Sequence, residues 1–151
     1  MIGQTIFLKF PSANIVGGGA QSLASVPAYT YTVTGSGKAS VATTVSGSFT
    51  GSMTANLVVQ RYVFAGTVMF AAGLTGSQGT AGVAATATTT YSIRKNGANV
   101  GTMVFGGSAT TATFTMASAT TFMAGDILTL VAPASPDATL ANLAWTLVGS
   151  Q

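Results

Sequence analysis

The chain has 151 residues, a length that fits one domain, and such a fold buries about 68–70% of its unfolded surface. It contains no cysteine, which excludes disulfides and thiolate metal sites. Charged residues make up 5% of the chain, against about 25% in an ordinary soluble domain. A surface of Thr, Ser, Gly and Ala with so few charges does little to prevent association. We therefore expect a protein whose surface is largely covered in an assembly.

The net charge of +3 and the pI near 9.6 rest on a few scattered side chains. Phosphate binding draws on several clustered Lys and Arg, and here only Arg94 and Lys95 are adjacent, so we expect no nucleic-acid partner. Mean hydropathy is +0.55, but Gly, Ser, Thr or Asn interrupts every apolar run. A spanning helix needs about 20 consecutive apolar residues, so we expect no membrane insertion. The first residues also lack the pattern of a cleaved signal.

The N-terminal part of the chain divides into three segments. Residues 5–10 predict a short strand, and residues 11–28 predict an extended arm because they carry three consecutive glycines and two prolines. From Tyr29 to Thr34 aromatic or branched residues alternate with Thr, which is typical of a strand. We therefore divide the chain into an N-terminal strand and arm, 1–28, and a β-domain, 29–151.

The rest of the chain predicts short strands separated by turns, with no convincing long helix. A loop with one short helical turn is predicted at 72–90, and 54–64 is predicted as the longest strand. The other predicted strands are 39–45 and 49–53 (separated by Ser46-Gly47-Ser48), 67–71, 110–116, 127–131 and 140–148.

The clearest local signal is a hairpin over residues 89–105. Its two alternating runs meet at Asn96-Gly97, the dipeptide that most readily adopts positive φ at both centres of a type I′ turn. Nine or ten short strands at this spacing predict an all-β fold, an antiparallel β-sandwich resembling a jelly roll. The alternation places four aromatic side chains in its core: Phe105, Phe114, Phe122 and Trp145.

The side chains that usually carry catalysis are almost absent. The sequence has no His, no Glu and two Asp, so acid–base catalysis at neutral pH lacks its usual groups and we expect no enzyme, cofactor or metal site. Asp126 and Asp137 lie in predicted turns, where a carboxylate typically accepts from backbone N–H groups. An oxygen-ligand metal site would need both of them together with backbone carbonyls, which is the less favoured interpretation.

A few residues are candidates for interaction with partners. Tyr29 and Tyr31 are amphipathic and suit either subunit packing or a sugar-binding surface, as does Tyr62. Arg94 and Lys95 form a charge pair beside the hairpin tip, and the loops of Asp126 and Asp137 are the other candidates.

A family resemblance adds to these interpretations. Its motifs, in order, are Phe70–Leu74, Gly76-Ser77, Tyr91–Gly97, Val100–Thr102, Phe122–Leu128, Ala132-Pro133, Pro136–Ala141 and Thr146–Gly149. With these, residues 62–149 resemble a domain that recurs in tail-fibre, head-fibre and other surface proteins of tailed bacteriophages. The first 60 residues match nothing comparable.

The resemblance implies a β-sandwich, commonly a homotrimer, exposed on the virion surface and without catalytic residues. In fibre proteins the N-terminal part usually attaches to the particle, so residues 1–28 are expected to dock on capsid or tail proteins. The length leaves room for an anchor and a head but no shaft, which favours capsid decoration or a short head fibre. The alternatives are a host-receptor or glycan-binding module of a tail fibre, and an adhesin outside phages.

Overall fold

The computed structural model describes residues 41–151. The strands predicted at 5–10 and 29–34, the arm at 11–28 and the boundary between the two predicted domains lie outside this range. In the described range the chain forms strands and one three-residue 3-10 turn, Ala72–Leu74. None of its helical segments there is long and apolar enough to cross a membrane.

Residues 41–151 form ten strands in two antiparallel sheets. In chain order they are β1 (Ala42–Ser52), β2 (Val58–Val63), β3 (Val68–Phe70), β4 (Gln78–Val83), β5 (Thr89–Lys95), β6 (Ala98–Phe105), β7 (Ala112–Thr115), β8 (Thr120–Phe122), β9 (Ile127–Val131) and β10 (Ala141–Ser150).

The first sheet has the order β1-β10-β3-β8, and β4 pairs with β10 on the same side as β3. The second sheet has the order β2-β9-β5-β6-β7. The prediction of an all-β fold of antiparallel sheets in a sandwich is therefore confirmed.

The core lies between the sheets and contains side chains from both. Phe64, Phe70 and Phe122 form an aromatic cluster in which ring centroids are 4.6–6.0 Å apart. Tyr91 and Phe105 form a second, edge-to-face pair from the hairpin. Of the four aromatic residues predicted for the core, Phe105, Phe122 and Trp145 are at most 3% exposed, whereas Phe114 is only half-buried.

The two local predictions with the strongest sequence signals are confirmed. Strands β5 and β6 form the hairpin, and Asn96 and Gly97 at its tip have φ angles of 49° and 89°, the positive values that a type I′ turn requires. The strand predicted at 127–131 has those bounds. The short helical turn predicted within 72–90 corresponds only to the turn Ala72–Leu74, in which Gly73 and Leu74 have positive φ angles of 73° and 51° rather than helical ones.

Three predictions are wrong. Ser46-Gly47-Ser48 does not interrupt a strand, since β1 runs through it as the longest strand of the described chain, paired along β10. The strand predicted at 54–64 begins only at Val58, because residues 54–57 form a turn with Asn56 at a φ of 56°. The loop predicted at 72–90 contains β4, whose ladder with β10 outweighs the low strand propensity of its Gly and Ala.

The two lateral sides of the sandwich differ. On what we call the closed side, β4 and β7 join the sheets through a bridge between Thr80 and Thr111 and a 2.8 Å bond from Ala81 N to Thr110 O. On the open side, β1 and β2 are the sheet edges. Within residues 41–151 no backbone hydrogen bond joins these two strands, and the link is the Gln60 side chain, whose Nε2 donates to Ser46 O at 2.9 Å.

Candidate functional site

The hairpin tip is bound to the turn between β8 and β9 by charged and amide side chains. Lys95 Nζ lies 2.9 Å from Asp126 Oδ2, donates to Thr121 O at 2.6 Å and sits 5.5 Å from the centre of the Phe122 ring. Asn96 donates to Asp126 through Nδ2 and accepts from Ile127 N through Oδ1. The side chains of Lys95 and Asn96 are therefore already engaged within the chain.

Asp126 also caps its own turn, as the sequence indicated, by accepting from Met123 N at 2.8 Å. This backbone bond, followed by the bonds from Asn96 and Lys95, lowers the pKa of Asp126 to about 2. Both of its oxygens are used inside the molecule. The carboxylate thus stabilises the turn, and its predicted role in partner binding stays a prediction.

Asp137 ties together the two connections β4–β5 and β9–β10, each of which passes from one sheet to the other. It accepts six hydrogen bonds of at most 3.1 Å, which come from the backbone and hydroxyl groups of Thr86 and Thr139 and from Ala87 N and Leu140 N. These bonds, those of the Thr139 and Thr86 hydroxyls first, hold the pKa of Asp137 far below its usual range. Burial, with a smaller contribution from this charge, raises the pKa of Tyr91 to about 12.

The described residues contain no group of three His, Cys, Asp or Glu that could hold a metal ion. Asp126 and Asp137 belong to separate hydrogen-bond networks, so they do not form the paired carboxylate site that the sequence left open. Of the tyrosines considered as an interaction surface, Tyr62 is 37% exposed at the edge strand β2, whereas Tyr29 and Tyr31 lie outside the described residues.

Arg94 has a different environment from its neighbour Lys95, because successive side chains of a strand point to opposite faces of the sheet. Arg94 and Arg61 are both register partners of Thr129, from β5 and β2 on either side of β9. The three side chains therefore form one row across the outer face of the second sheet, with the two Cα atoms of the arginines about 10 Å apart. Within residues 41–151 neither guanidinium forms an ion pair.

A cleft of about 470 Å³ surrounds this row. Its lining consists of Asn56, Val58, Arg61, Arg94, Asn96, Gly97, Ile127, Thr129 and Val131. Arginine supplies five donors in a planar fork that matches carboxylate and phosphate oxygens. The cleft therefore presents two cationic forks over a floor that is partly apolar.

A second cleft, of about 520 Å³, lies on the first sheet. Its lining is Ser46, Gly47, Gln78, Gly79, Thr80, Thr111, Ala144, Trp145 and Thr146. It is the larger of the two, but it has no charged side chain, and the Trp145 side chain is 3% exposed, packed on the core side. We regard the arginine cleft as the stronger candidate because its polar groups favour one class of ligand.

The open side carries a second candidate surface, the outer edge of β1. Val41 and Gln151 exchange both of their backbone hydrogen bonds, at 3.1 and 2.9 Å. In an antiparallel ladder the bonded pairs alternate, so Ala42, Thr44 and Ser46 direct their N–H and C=O groups away from β10. Within the described residues no strand pairs with this edge, which lacks charged residues and proline over its whole length.

Exposed apolar side chains lie beside that edge on β2. Val58 is 51% exposed, Val63 is 58% exposed and Tyr62 is 37% exposed. Natural proteins usually protect edge strands with charge, proline or a covering element, since an unprotected edge is a template for pairing with another chain. Apart from Arg61 on β2, neither β1 nor β2 contains a charged residue or a proline.

The structure thus rearranges the residues that the sequence singled out. It joins Lys95 to Asp126, keeps Asp137 apart from both, and places Arg94 with Arg61 and Thr129, which the sequence interpretation missed. No local sequence signal identifies that row, because its members are 33 and 35 residues apart along the chain and only the register of β2, β9 and β5 aligns them.

Comparison with known proteins adds no relative. No protein-family model, no curated protein and no solved structure matches the chain. What the protein does must therefore be argued from its own surfaces.

Proposed function

We propose that this chain is a non-enzymatic structural protein of a tailed-bacteriophage virion, a capsid decoration protein or a head or tail fibre. Its β-sandwich is the exposed part, residues 1–28 attach it to capsid or tail proteins, and it acts as a homotrimer on the virion surface. The resemblance of residues 62–149 to phage surface proteins motivates the proposal.

The observation that carries the assembly part of the proposal is the open side of the sandwich. An uncharged edge strand of 11 residues lies there beside exposed Val58, Tyr62 and Val63. Such a side suits contact with another subunit, because pairing satisfies the backbone groups of β1 and burial removes the apolar side chains from water.

Light scattering on the purified full chain tests the assembly, and co-sedimentation with particles that lack this protein tests attachment. We expect a trimer at micromolar concentration that binds the particles. A chain without residues 1–28 should remain folded and lose particle binding. A stable monomer that ignores the particles contradicts the proposal.

A matched pair of variants locates the subunit contact. Thr44→Lys places a charge on the open side and should weaken association, because lysine on an edge strand opposes pairing. Thr113→Lys adds the same charge to another exposed threonine, on β7 of the closed side, and should leave association unchanged. Equal effects of the two variants would mean that charge alone, and not the open side, controls association.

The second candidate function is a host-receptor or glycan-binding module of a fibre. The arginine cleft favours it, because a subunit contact through the open side does not require two unpaired guanidinium groups on the outer face. Binding to host cells that depends on this cleft would support that function.

A further inference from the structure

The strongest unassigned feature is the row Arg61–Thr129–Arg94 and the cleft around it. Five charged side chains lie in the described residues, and three of them, Lys95, Asp126 and Asp137, are engaged in hydrogen bonds within the chain. The remaining two are the arginines of the row. Like charges placed close together on one face of a sheet repel each other, so this arrangement is stabilised when an anion lies between them.

The chain itself has no carboxylate side chain to spare for this position. Its sequence contains two acidic residues, Asp126 and Asp137, and the oxygens of both already accept hydrogen bonds from neighbouring loops. Acidic side chains are also absent from residues 1–40. A second copy of the chain has the same shortage, so acidic side chains of this protein do not supply an anion between the arginines.

The size and lining of the cleft indicate more than a simple inorganic ion. Its volume of about 470 Å³ lies within the range of about 300–1,000 Å³ typical of sites for small organic ligands. Val58, which is 51% exposed, and the half-buried Ile127 supply apolar contact surface, which suits the C–H faces of a ring. The Thr129 hydroxyl and the Asn56 amide form no hydrogen bond with other described residues, so they can pair with ligand hydroxyls.

An extended acidic peptide fits this position less well. Peptides that bind to sheets usually add a strand at an edge, where main-chain groups are unpaired. The centre of the cleft lies over β9, which is paired with β2 on one side and with β5 on the other. Recognition over β9 must therefore come from side chains.

We propose that this cleft binds an acidic saccharide, with a sugar carboxylate held between Arg61 and Arg94 and the ring packed over Ile127. Thr129 contributes a hydrogen bond from the floor of the cleft. The inference rests on the second candidate function and does not require virion assembly, although Val58 belongs both to the lining of the cleft and to the open side.

Calorimetric titration of the full chain with a tetrasaccharide that contains glucuronic acid tests the proposal. We expect binding that weakens as salt is raised, since surface ion pairs are screened. Arg61→Gln and Arg94→Gln should each lower the affinity about tenfold or more, because each removes hydrogen bonds to a charged group. Thr129→Val should lower it about 2- to 10-fold through the loss of one neutral hydrogen bond.

Two controls separate this site from nonspecific attraction. Thr113→Lys adds one positive charge on β7, outside the lining of the cleft, and should leave the affinity unchanged. Arg94→Lys keeps the charge but loses the planar fork, so it should bind more weakly than the unchanged protein. Unaltered thermal unfolding of each variant shows that lost binding is not lost folding.

Other probes supply the results that would overturn the proposal. If the methyl-esterified tetrasaccharide binds equally well, the carboxylate is not recognised. If inorganic sulfate binds equally well, the cleft is a simple oxyanion site and not a saccharide site. Tighter binding of polyglutamate assigns the cleft to an acidic protein segment, and no binding of the tetrasaccharide refutes the site. A monomeric protein that still binds the tetrasaccharide supports this inference while contradicting the proposed assembly.

Discussion

The closed and open sides of the sandwich solve the problem of a sheet edge in different ways. On the closed side, β4 and β7 join the two sheets through backbone hydrogen bonds, and the loop that follows β4 is held by Asp137. On the open side, the Gln60 side chain links β2 to β1 and accepts from Trp145 Nε1 at 2.5 Å.

The two sides therefore differ in the backbone groups that they leave for a partner. On the closed side, the Ala81 N–H and the Thr110 C=O are already paired with each other. The outer backbone groups of β1 have no strand partner among the described residues. We infer that the closed side stabilises the fold and that the open side serves assembly.

The largest expected effect comes from adding a methyl group to one buried glycine on each side, Gly79 of β4 and Gly47 of β1. A Cβ at Gly79 would lie 2.8 Å from Ala112 Cβ, whereas one at Gly47 would lie 2.6 Å from Trp145 Cζ2. The Ala112 Cβ is fixed by the backbone of β7, and the indole beside Gly47 is buried and bonded to Gln60, so each substitution should cost about 2–3 kcal/mol. Urea unfolding measures both values, and a cost below about 1 kcal/mol for one variant would mean that the packing on that side can adjust.

Two single proline substitutions, at neighbouring positions of β1, probe this edge strand and should change the stability less. Ladder alternation directs the Thr43 N–H toward β10 and the Thr44 N–H toward the outside. Thr43→Pro should therefore lower the free energy of unfolding by about 1–3 kcal/mol, because it leaves a β10 acceptor without its donor. Thr44→Pro should cost less than about 1 kcal/mol, since proline is tolerated where an edge N–H faces away from the ladder. Similar losses in thermal melts of the two variants would show that the ladder has another register.

Lowering the pH should loosen the closed side before the open side, and no effect is expected at neutral pH. The pKa values of Asp126 and Asp137 are lower in the folded protein than their usual value near 4, so their stabilisation is present above that pH. It is lost as pH falls, for Asp126 between about 4 and about 2. Amide exchange should then accelerate at Thr86 and Ala87, whose N–H groups bond Asp137, before it accelerates in β1.

Asp137→Asn provides the control for the acid experiment. It should weaken protection of the Thr86 and Ala87 amides at all pH values and remove most of its pH dependence, because an amide does not titrate in this range. Loss of protection in β1 first, at the same pH, would mean that acid acts through the open side.

The predictions from local sequence signals are confirmed where residues close together in the sequence decide the structure by themselves. The hairpin at Asn96-Gly97 and the strand Ile127–Val131 were predictable because turn chemistry and alternation act within a few residues. The continuity of β1 through Gly47 was not predictable, because Gly47 is required by an indole 98 residues later in the chain. The same holds for β4, where Gly79 is required by Ala112 and Phe114 of β7, more than 30 residues later in the chain.

For the candidate site, too, the sequence predicted the local features but not the contacts between distant strands. The sequence identified Arg94 as an interaction residue and predicted that Asp126 caps a turn, since both conclusions depend on short-range context. It could not show that Lys95 is engaged by Asp126 while Arg94 faces Arg61, because strand alternation gives opposite faces to neighbours and only the partner strands decide what each face meets.

The sequence by itself determined an all-β chain with few charges, one well-formed hairpin and almost none of the usual side chains for catalysis or metal binding. The tertiary structure alone decided that two glycines flank Trp145, that one edge of the sandwich is closed and the other open, and that Arg61, Thr129 and Arg94 share a row. The physical reason is that strand pairing joins residues far apart in the chain, and composition and local periodicity do not specify its register.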